Sequence, residues 1–301
     1  MWYMIAPLMT KSWWLSGRTL KALTRLKELN LSDNPFSGGP PKVISQFNLL
    51  ESLNLSECKL TGLPVTLNTL TKLKELDLSC NSFSDGLPEV VSQFNLLESL
   101  NLSSCELPGL PATLNTLSRL KELDLSWNFF SDDLPEVISQ LNSLESFNLY
   151  NCKLTRLPAM LNTLTRLKVL DLSLNPFTDG LQEVVSHFNL LESLNLSRCK
   201  LTRLPATLNT LTRLKELDLS YNYFSDGLPE VVSQFKLLES LDLFDCTLRG
   251  LPATFNTLTK LKELNLSHNS FTDGLPEVIS QLYLLESLDL SYCKLTGLPA
   301  T

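Results

Sequence analysis

The sequence is poor in the residues and motifs on which most enzyme chemistry depends. It has only two histidines in 301 residues, and it contains no G-x-S-x-G, no G-x-x-x-x-G-K-[ST] and no G-x-G-x-x-G motif. These absences argue against the common serine hydrolases and against phosphate-binding and dinucleotide-binding loops. We therefore expect no catalytic residue and no cofactor in this chain.

The sequence also lacks an excess of positive charge and a long apolar run. Its formal net charge is −7, which argues against nucleic acid as a ligand because that ligand requires a basic surface. No apolar run reaches the roughly 18 residues that a transmembrane helix needs, so we expect no insertion into a membrane. The short apolar stretch from Trp2 to Met9 has no basic residue before it and matches a signal peptide poorly.

What the sequence has in abundance is internal repetition. The segment Leu26–Asn34 (LKELNLSDN) recurs five more times at intervals of 47 residues, and Leu50–Cys58 (LESLNLSEC) recurs five more times between those copies. The spacing alternates between 24 residues, from Asn34 to Cys58, and 23 residues, from Cys58 to Asn81. We call these Asn-type and Cys-type units and number the twelve of them along the chain.

Each unit contains two stretches of different periodicity. In Leu53-Asn54-Leu55 the apolar and polar residues alternate, which predicts a strand with one buried face. Further on, Leu63, Leu67 and Leu70 stand at i, i+4 and i+7, which predicts a short helix. Pro64 suits the first position of that helix. One unit cannot bury its own apolar face, so we expect neighbouring units to stack around a continuous core.

Both kinds of unit fit the pattern L-x-x-L-x-L-x-x-N/C-x-L, and over residues 20–301 the chain resembles the leucine-rich-repeat family. The resemblance implies an α/β solenoid of about twelve repeats, a curved horseshoe with a concave parallel β-sheet and short helices or turns on its convex side. The 23- and 24-residue units with Leu-Pro-x-x-Leu segments are similar to those of cytosolic Scribble-type and Ras-suppressor-type scaffolds. Residues 1–19 fit badly, and we interpret them as an irregular N-terminal segment and candidate cap. The array stops inside a repeat at Thr301, which predicts a solenoid truncated at its C-terminus.

One phenylalanine recurs in every Asn-type unit, where the Cys-type units have leucine. This pattern predicts a buried spine of stacked rings. The six residues are Phe36, Phe83, Phe130, Phe177, Phe224 and Phe271.

Cysteines and glycosylation sequons bear on the compartment. Six of the seven cysteines end the Cys-type segments, where equivalent positions are two strands and roughly 10 Å apart, too far for a disulfide. We expect them to be buried thiols in place of asparagine and Cys80 to be exposed, and unpaired thiols favour a reducing compartment. Five Asn-Leu-Ser sequons lie on the predicted concave face, where glycans would crowd it: Asn30, Asn54, Asn101, Asn195 and Asn265. We predict a cytoplasmic location, with an extracellular one as the alternative that glycans would favour.

The residue just before the constant Asn or Cys varies most among the units. Its neighbour on the strand is mostly serine but becomes Tyr150 and Phe244. We expect both positions to face solvent beside the concave sheet, about 5 Å from their counterparts in the next unit. Clustered Trp, Tyr and Arg are typical of binding hot spots, and the alternative is neutral drift. The candidate protein-binding residues are Trp127, Tyr150, Leu174, Arg198, Tyr221, Phe244, Asp245, His268 and Tyr292.

Charged residues also form columns along the array. Two acidic columns predict an acidic concave face that would attract a partner with a basic surface. They are Glu28, Glu75, Glu122, Glu216 and Glu263, and Asp77, Asp124, Asp171, Asp218, Asp242 and Asp289. A third column alternates in sign and predicts ion pairs that support stacking, each worth at most about 1 kcal/mol. It runs Lys27, Glu51, Lys74, Glu98, Lys121, Glu145, Lys168 and Glu192.

His268 has a serine and an aspartate near it in the repeat array, as a catalytic triad or a metal site would require. Ser267 precedes it and Asp245 lies one repeat away, but Ser267 is the serine repeated in most units and has no oxyanion hole to accompany it. Asp245, His268 and Tyr292 offer too few good ligands for a typical zinc site. We expect neither catalysis nor a bound metal.

These observations predict a non-catalytic protein–protein interaction module that binds its partner on the concave face. Given the resemblance to cytosolic proteins, an intracellular signalling scaffold or adaptor is the preferred interpretation. An extracellular ligand-recognition receptor domain is one alternative, and the recognition arm of a kinase or ubiquitin ligase whose catalytic domain lies elsewhere is another. A purely structural role is a third.

Overall fold

Twelve short parallel strands, each following the last in sequence order, form one open sheet. The computed structural model describes residues 22–297 apart from 131–133, 178–180, 182, 272–273, 275 and 296. Every strand pairs in register with its neighbours in the chain, so the predicted α/β solenoid of about twelve repeats is confirmed. The strands are β1 (Glu28–Asn30), β2 (Ser52–Asn54), β3 (Glu75–Asp77), β4 (Ser99–Asn101), β5 (Glu122–Asp124), β6 (Ser146–Asn148), β7 (Val169–Asp171), β8 (Ser193–Asn195), β9 (Glu216–Asp218), β10 (Ser240–Asp242), β11 (Glu263–Asn265) and β12 (Ser287–Asp289).

A five-residue 3₁₀ helix crosses the convex side of each unit between consecutive strands. The eleven are η1 (Lys42–Gln46), η2 (Val65–Thr69), η3 (Glu89–Gln93), η4 (Ala112–Thr116), η5 (Glu136–Gln140), η6 (Ala159–Thr163), η7 (Glu183–His187), η8 (Ala206–Thr210), η9 (Glu230–Gln234), η10 (Ala253–Thr257) and η11 (Glu277–Gln281). Within the described part of the chain, no helix has the length and apolar character that a membrane span requires.

The convex helices differ from the α-helical stripe expected at i, i+4 and i+7. The buried leucines of η2 and its flank are Leu67, Leu70 and Leu73, spaced by three residues as in a 3₁₀ helix. Pro64 caps the helix rather than starting it, and its carbonyl accepts the amide hydrogen of Leu67 at 3.1 Å. The tighter turn fits because a 23- or 24-residue unit leaves room for little more than one helical turn before the next strand.

The core lies between the sheet and the 3₁₀ helices and runs along the whole array. The middle residue of each strand from β2 to β11 is buried, while the first and third are more exposed. Phe83, Phe130, Phe177, Phe224 and Phe271 are all buried, which confirms the predicted spine in those five units. Phe36, in the first unit, is partly buried against the same core.

Asparagine side chains join each Asn-type unit to the Cys-type unit before it. The Nδ2 of Asn175 donates to the carbonyls of Leu149 and Leu172, both at 2.8 Å. Its Oδ1 accepts the amide hydrogens of Cys152 at 3.1 Å and Leu154 at 2.9 Å. One buried side chain thus satisfies backbone groups of two units, and unsatisfied groups of this kind would be expensive.

Cysteines form the other junction with fewer bonds. The Cys246 thiol donates to the Leu219 carbonyl of the preceding Asn-type unit at 3.1 Å. The amide of Phe224 there donates to the backbone carbonyl of Cys246 at 3.0 Å instead of to a side chain. A threonine adds to this junction on the convex side, as when the Thr257 hydroxyl donates to the Ser233 carbonyl at 2.5 Å. Cysteine therefore acts as a weak donor as well as the small apolar filler that we expected.

All seven cysteines are unpaired, as predicted. The six in Cys-type units are buried and Cys80 is exposed. Burial raises the pKa of Cys105, Cys152, Cys199 and Cys246 to about 12. These four thiols stay protonated at neutral pH, and because the thiolate is the reactive form they are chemically inert in the folded chain.

The column of alternating charge forms ion pairs, as predicted. Lys74, Lys121, Lys168, Lys215 and Lys262 each place Nζ 2.6 Å from the glutamate of the preceding unit. Glu51 pairs with both Lys27 and Lys74, which together lower its pKa to about 2. All these side chains are substantially exposed, so water and salt screen the pairs and each contributes little to stability.

Candidate protein-binding surface

The variable position ahead of each Asn or Cys has the same unusual backbone in all twelve units. Its φ lies between +49° and +59° everywhere, in the left-handed region that favours glycine and tolerates asparagine and aspartate. None of the twelve residues is glycine, and only Asp33, Asn151 and Asp245 belong to the tolerated types. Tryptophan, tyrosine, leucine, arginine and histidine therefore occupy a conformation that disfavours them by about 1–2 kcal/mol each.

Five of the predicted residues form one continuous stack over units 8 to 12, which we call the aromatic stack. The Arg198 guanidinium lies 3.6 Å from the centroid of the Tyr221 ring. The ring centroids of Tyr221 and Phe244 are 4.8 Å apart, those of Phe244 and His268 4.7 Å, and those of His268 and Tyr292 4.5 Å. These separations match the spacing of neighbouring strands, so the sheet itself sets the stacking distance.

The remaining predicted residues lie outside that stack. Trp127 and Tyr150 pack edge to face, with ring centroids 5.6 Å apart. Leu174 is half-buried in the unit between them and Arg198, and Asp245 is exposed beside the stack. The surface predicted as a single strip is therefore two groups of contacting side chains.

Two further aromatics on this surface escaped the sequence analysis. Phe129 and Tyr223 are 51% and 53% exposed and stand two residues after Trp127 and Tyr221. The Lys153 ammonium lies 4.0 Å above the centroid of the Phe129 ring. The position that they occupy also varies among the Asn-type units, and this variation is the signal that the sequence offers: Pro35, Ser82, Phe129, Pro176, Tyr223 and Ser270.

The expectation that the strand-side serines face solvent was wrong for most Asn-type units. Five of them are buried: Ser79, Ser126, Ser173, Ser220 and Ser267. In the Cys-type units the same position is half-exposed, and both Tyr150 and Phe244 occupy it there. Aromatic residues therefore replace this serine only in the Cys-type units, where the position is more exposed.

The surroundings of His268 do not form a nucleophilic site. The Ser267 hydroxyl is buried and donates to Asn265 Oδ1 at 2.6 Å, while the His268 ring lies between Phe244 and Tyr292. No group of three His, Cys, Asp or Glu side chains in the part of the chain that the structure describes is arranged to hold a metal ion.

The strands carry charge of one sign only. The twelve strands contain eleven acidic residues and no lysine or arginine. At the third strand position, asparagine or aspartate accepts the amide hydrogen of the residue two places on, as Asp171 does from Ser173 at 2.8 Å. Burial raises the pKa of Asp171 and of Asp242 above the ordinary value. The charged form of each carboxylate is therefore less stable in the folded chain than in water.

Replacing Asp171 with asparagine is expected to stabilise the chain at neutral pH by about 0.5–2 kcal/mol. Asparagine keeps the turn hydrogen bond and is the native residue at this position in β6 and β8. Because the pKa of Asp171 is higher in the folded chain than in the unfolded chain, the folded chain is more stable while this carboxyl group is protonated. That contribution to the free energy of unfolding is present at low pH and lost as the pH rises through the folded pKa. The advantage of asparagine should therefore shrink on acidification, as measured by urea denaturation at pH 7 and pH 3. Equal gains at both pH values would contradict it, and Glu122→Gln, at an exposed strand position, is the control.

A stack of one-strand units with a recurrent core and an exposed, aromatic-rich sheet margin defines a repeat solenoid of the protein-binding kind. Models of the leucine-rich-repeat family match residues 25–47, 49–70, 72–94, 119–141, 190–211 and 213–235 and residues 252–295. Together these segments cover more than half of the chain. The chain belongs to the leucine-rich-repeat family.

Solved structures of similar fold come from bacteria, plants and animals. A leucine-rich-repeat protein of Leptospira interrogans is 28% identical, with a TM-score of 0.60 over 93% of this chain and 88% of that one. The ectodomain of the Arabidopsis thaliana membrane receptor kinase GASSHO1/SCHENGEN3, solved with Casparian strip integrity factor 2, is 26% identical, with a TM-score of 0.58 over 93% and 40%. Drosophila Toll in complex with Spatzle is 22% identical, with a TM-score of 0.72 over 91% and 39%.

The chain spans about two fifths of the length of the Arabidopsis and Drosophila chains. No curated protein sequence matches it significantly.

Proposed function

We propose that this chain is a non-catalytic module that binds a protein partner across the exposed side chains between Trp127 and Tyr292. The observation that carries the proposal is the concentration of exposed aromatic side chains in units 5 to 12, among them Trp127, Tyr223 and Tyr292. Exposed Trp, Tyr and Arg are the residues that dominate protein interfaces.

The composition of the variable positions favours selection over neutral drift, which is the alternative explanation. At a left-handed position, drift would favour glycine, asparagine and aspartate, which adopt the conformation at little expense. Trp127, Leu174, Tyr221 and Tyr292 occur there instead. Their retention against a repeated penalty of about 1–2 kcal/mol supports selection for what these side chains contact.

The contacts within the surface also favour binding. Each ring of the aromatic stack is held by neighbours on one or both sides, which restricts its rotamers before any partner arrives. Since immobilising a side chain on association costs about 0.5–1.5 kcal/mol, a preorganised surface binds more tightly than a mobile one of equal area.

We further propose that the module acts inside the cell, as a signalling scaffold or adaptor. Six buried and unpaired thiols are typical of a reducing compartment. The sequon asparagines are engaged in turns: Asn101 Oδ1 accepts the amide hydrogen of Ser103 at 3.0 Å, and Asn195 Oδ1 that of Ser197 at 2.9 Å. A glycan on either would extend over the proposed binding face.

Recognition of an extracellular ligand is the second candidate. It is favoured by the likeness to the ectodomain of a receptor kinase that is 26% identical and was solved with a bound factor. Under this alternative the chain would be the recognition part of a longer protein, and glycans at Asn101 or Asn195 would be expected.

The proposed function is tested by comparative pull-down from a reducing cell lysate. The baits are the wild-type chain, a variant with Trp127, Tyr150, Tyr221 and Phe244 all changed to alanine, and Tyr283→Ala, whose ring is 87% exposed just after η11. We expect a partner that the wild type and Tyr283→Ala retain and that the quadruple variant loses at least tenfold, as removal of hot-spot residues predicts. Matching circular dichroism spectra establish that all three baits are folded. A partner retained equally by the quadruple variant would refute this site.

A further inference from the structure

We infer that the binding surface contains two aromatic subsites of similar composition, four strands apart, that receive cationic side chains from one extended basic segment of the partner. This inference rests on the proposed function and specifies the chemistry of the ligand. It is carried by a duplication of aromatic residues, by the cations that already lie on them, and by the charge of the strands beneath.

The duplication is a set of three aromatics that recurs after 94 residues. The first subsite consists of Trp127 and Phe129 in unit 5 and Tyr150 in unit 6. The second consists of Tyr221 and Tyr223 in unit 9 and Phe244 in unit 10, each 94 residues further on (221 − 127, 223 − 129 and 244 − 150). In the two units between them the matching positions hold Leu174, Pro176 and Ser197. The two subsites are therefore separated patches of the same chemistry.

Each subsite already has one aromatic face covered by a cation of the chain itself. In the first, the Lys153 ammonium lies 4.0 Å from the Phe129 centroid. In the second, the Arg198 guanidinium lies 3.6 Å from the Tyr221 centroid. Cations are attracted to such ring faces by the quadrupole of the π-system.

The Tyr221 ring lies between Arg198 and Phe244, and the Phe244 ring lies between Tyr221 and His268. The rings left open are therefore Trp127 in the first subsite and Tyr223 in the second, which are 46% and 53% exposed. These two rings offer the same attraction to a lysine or arginine of a partner.

Carboxylates make both subsites electrostatically selective. Asp124 lies on β5 in the first subsite, and Asp171 lies on β7, one strand beyond it. Asp218 and Asp242 lie on β9 and β10 in the second subsite. No lysine or arginine lies within any strand. A guanidinium combines stacking on an aromatic face with charge-assisted bonds to a carboxylate, so arginine is the side chain that these surroundings fit best.

The separation of the subsites determines the form of the ligand. From β5 to β9 there are four strand intervals, about 19 Å at roughly 4.8 Å each. An extended chain covers that distance in about six residues, at about 3.3 Å per residue, and an even number returns the side chain to the same face. A helix would need about 13 residues for the same span. The ligand is therefore an extended segment with arginines six positions apart, lying across the strands.

Labelled synthetic peptides test this inference by fluorescence anisotropy. The matched peptide carries two arginines separated by five small polar residues. Comparison peptides separate them by two or by eight residues, carry one arginine, or replace both with glutamate. We expect the matched peptide to bind the wild-type chain at least tenfold more tightly than any other, because simultaneous occupation of linked sites raises affinity. The doubly glutamate-substituted peptide should not bind.

Variants of each subsite provide the matched control. Two double variants are compared: Trp127→Ala with Tyr150→Ala, and separately Tyr221→Ala with Tyr223→Ala. Each should bind the matched peptide no more tightly than the wild type binds the single-arginine peptide, and each should show no preference for spacing. Binding that is independent of spacing, or absent for every peptide, would overturn the inference. If the peptides fail but the quadruple variant still loses the pull-down partner, the proposed function stands and only the inference about subsites is refuted. If the quadruple variant retains that partner, both the proposed function and the inference are refuted.

Discussion

Replacing Asn175 with alanine is expected to destabilise the solenoid by about 3–5 kcal/mol, the upper range for single substitutions. The side chain is fully buried and bonds the backbone of its own unit and of the one before it. Alanine would leave two carbonyls and two amides without those partners, at about 1–3 kcal/mol for each group left unsatisfied, partly relieved by relaxation. Urea denaturation followed by circular dichroism measures the loss.

The matched control is Cys199→Ala, in the next unit at the equivalent position. The single hydrogen of the Cys199 thiol is shared between the Leu172 carbonyl at 3.2 Å and the Ser197 carbonyl at 3.4 Å. The sulfur accepts only weak hydrogen bonds from backbone amides. We expect a loss of about 1–2 kcal/mol, from weaker bonds and a small cavity. Equal losses for the two variants would show that the asparagine contributes volume rather than hydrogen bonds.

Phe224→Ala should be comparably damaging, at about 3–5 kcal/mol, while the adjacent Tyr223→Ala should change stability by less than about 0.5 kcal/mol. The Phe224 ring has no exposed surface and belongs to the stacked spine, whereas Tyr223 is 53% exposed. Since both residues belong to the same unit, the pair compares the loss of a core ring with the loss of a surface ring. Thermal denaturation of both single variants is the measurement, and a large loss for Tyr223→Ala would mean that it supports the fold rather than a partner.

The strands and the core spine could be predicted because they depend on patterns within one unit. The alternation of apolar and polar residues around Leu53 determines which side chains of the strand face the core, whatever residues the adjacent units contain. The convex helices could not be predicted in the same way. The leucines of one unit fit both periods: Leu63, Leu67 and Leu70 suit an α-helix, while Leu67, Leu70 and Leu73 suit a 3₁₀ helix. Which period is adopted depends on how much chain the stacked units leave for each crossing.

The proposed binding surface could also be predicted only in part. The variable column was visible in the sequence and led to Trp127, Tyr221 and Tyr292, but the contacts between those side chains were not. They depend on a left-handed backbone that only coordinates reveal. Phe129 and Tyr223 stand directly after the constant Asn, not before it, at a position that varies less among the Asn-type units. The burial of Ser267 arises from side chains on adjacent units, which no single repeat encodes.

Alternating junctions set the unit by which this array can change in length. A Cys-type unit meets the next Asn-type unit through an asparagine side chain, and an Asn-type unit meets the next Cys-type unit through a thiol and a threonine hydroxyl. Gain or loss of 47 residues reproduces both kinds of contact, while gain or loss of 23 or 24 would bring two like units together and leave one set of backbone groups unmatched. Lengthening and shortening by recombination should therefore proceed in pairs, and an engineered array of this type should be assembled from 47-residue modules.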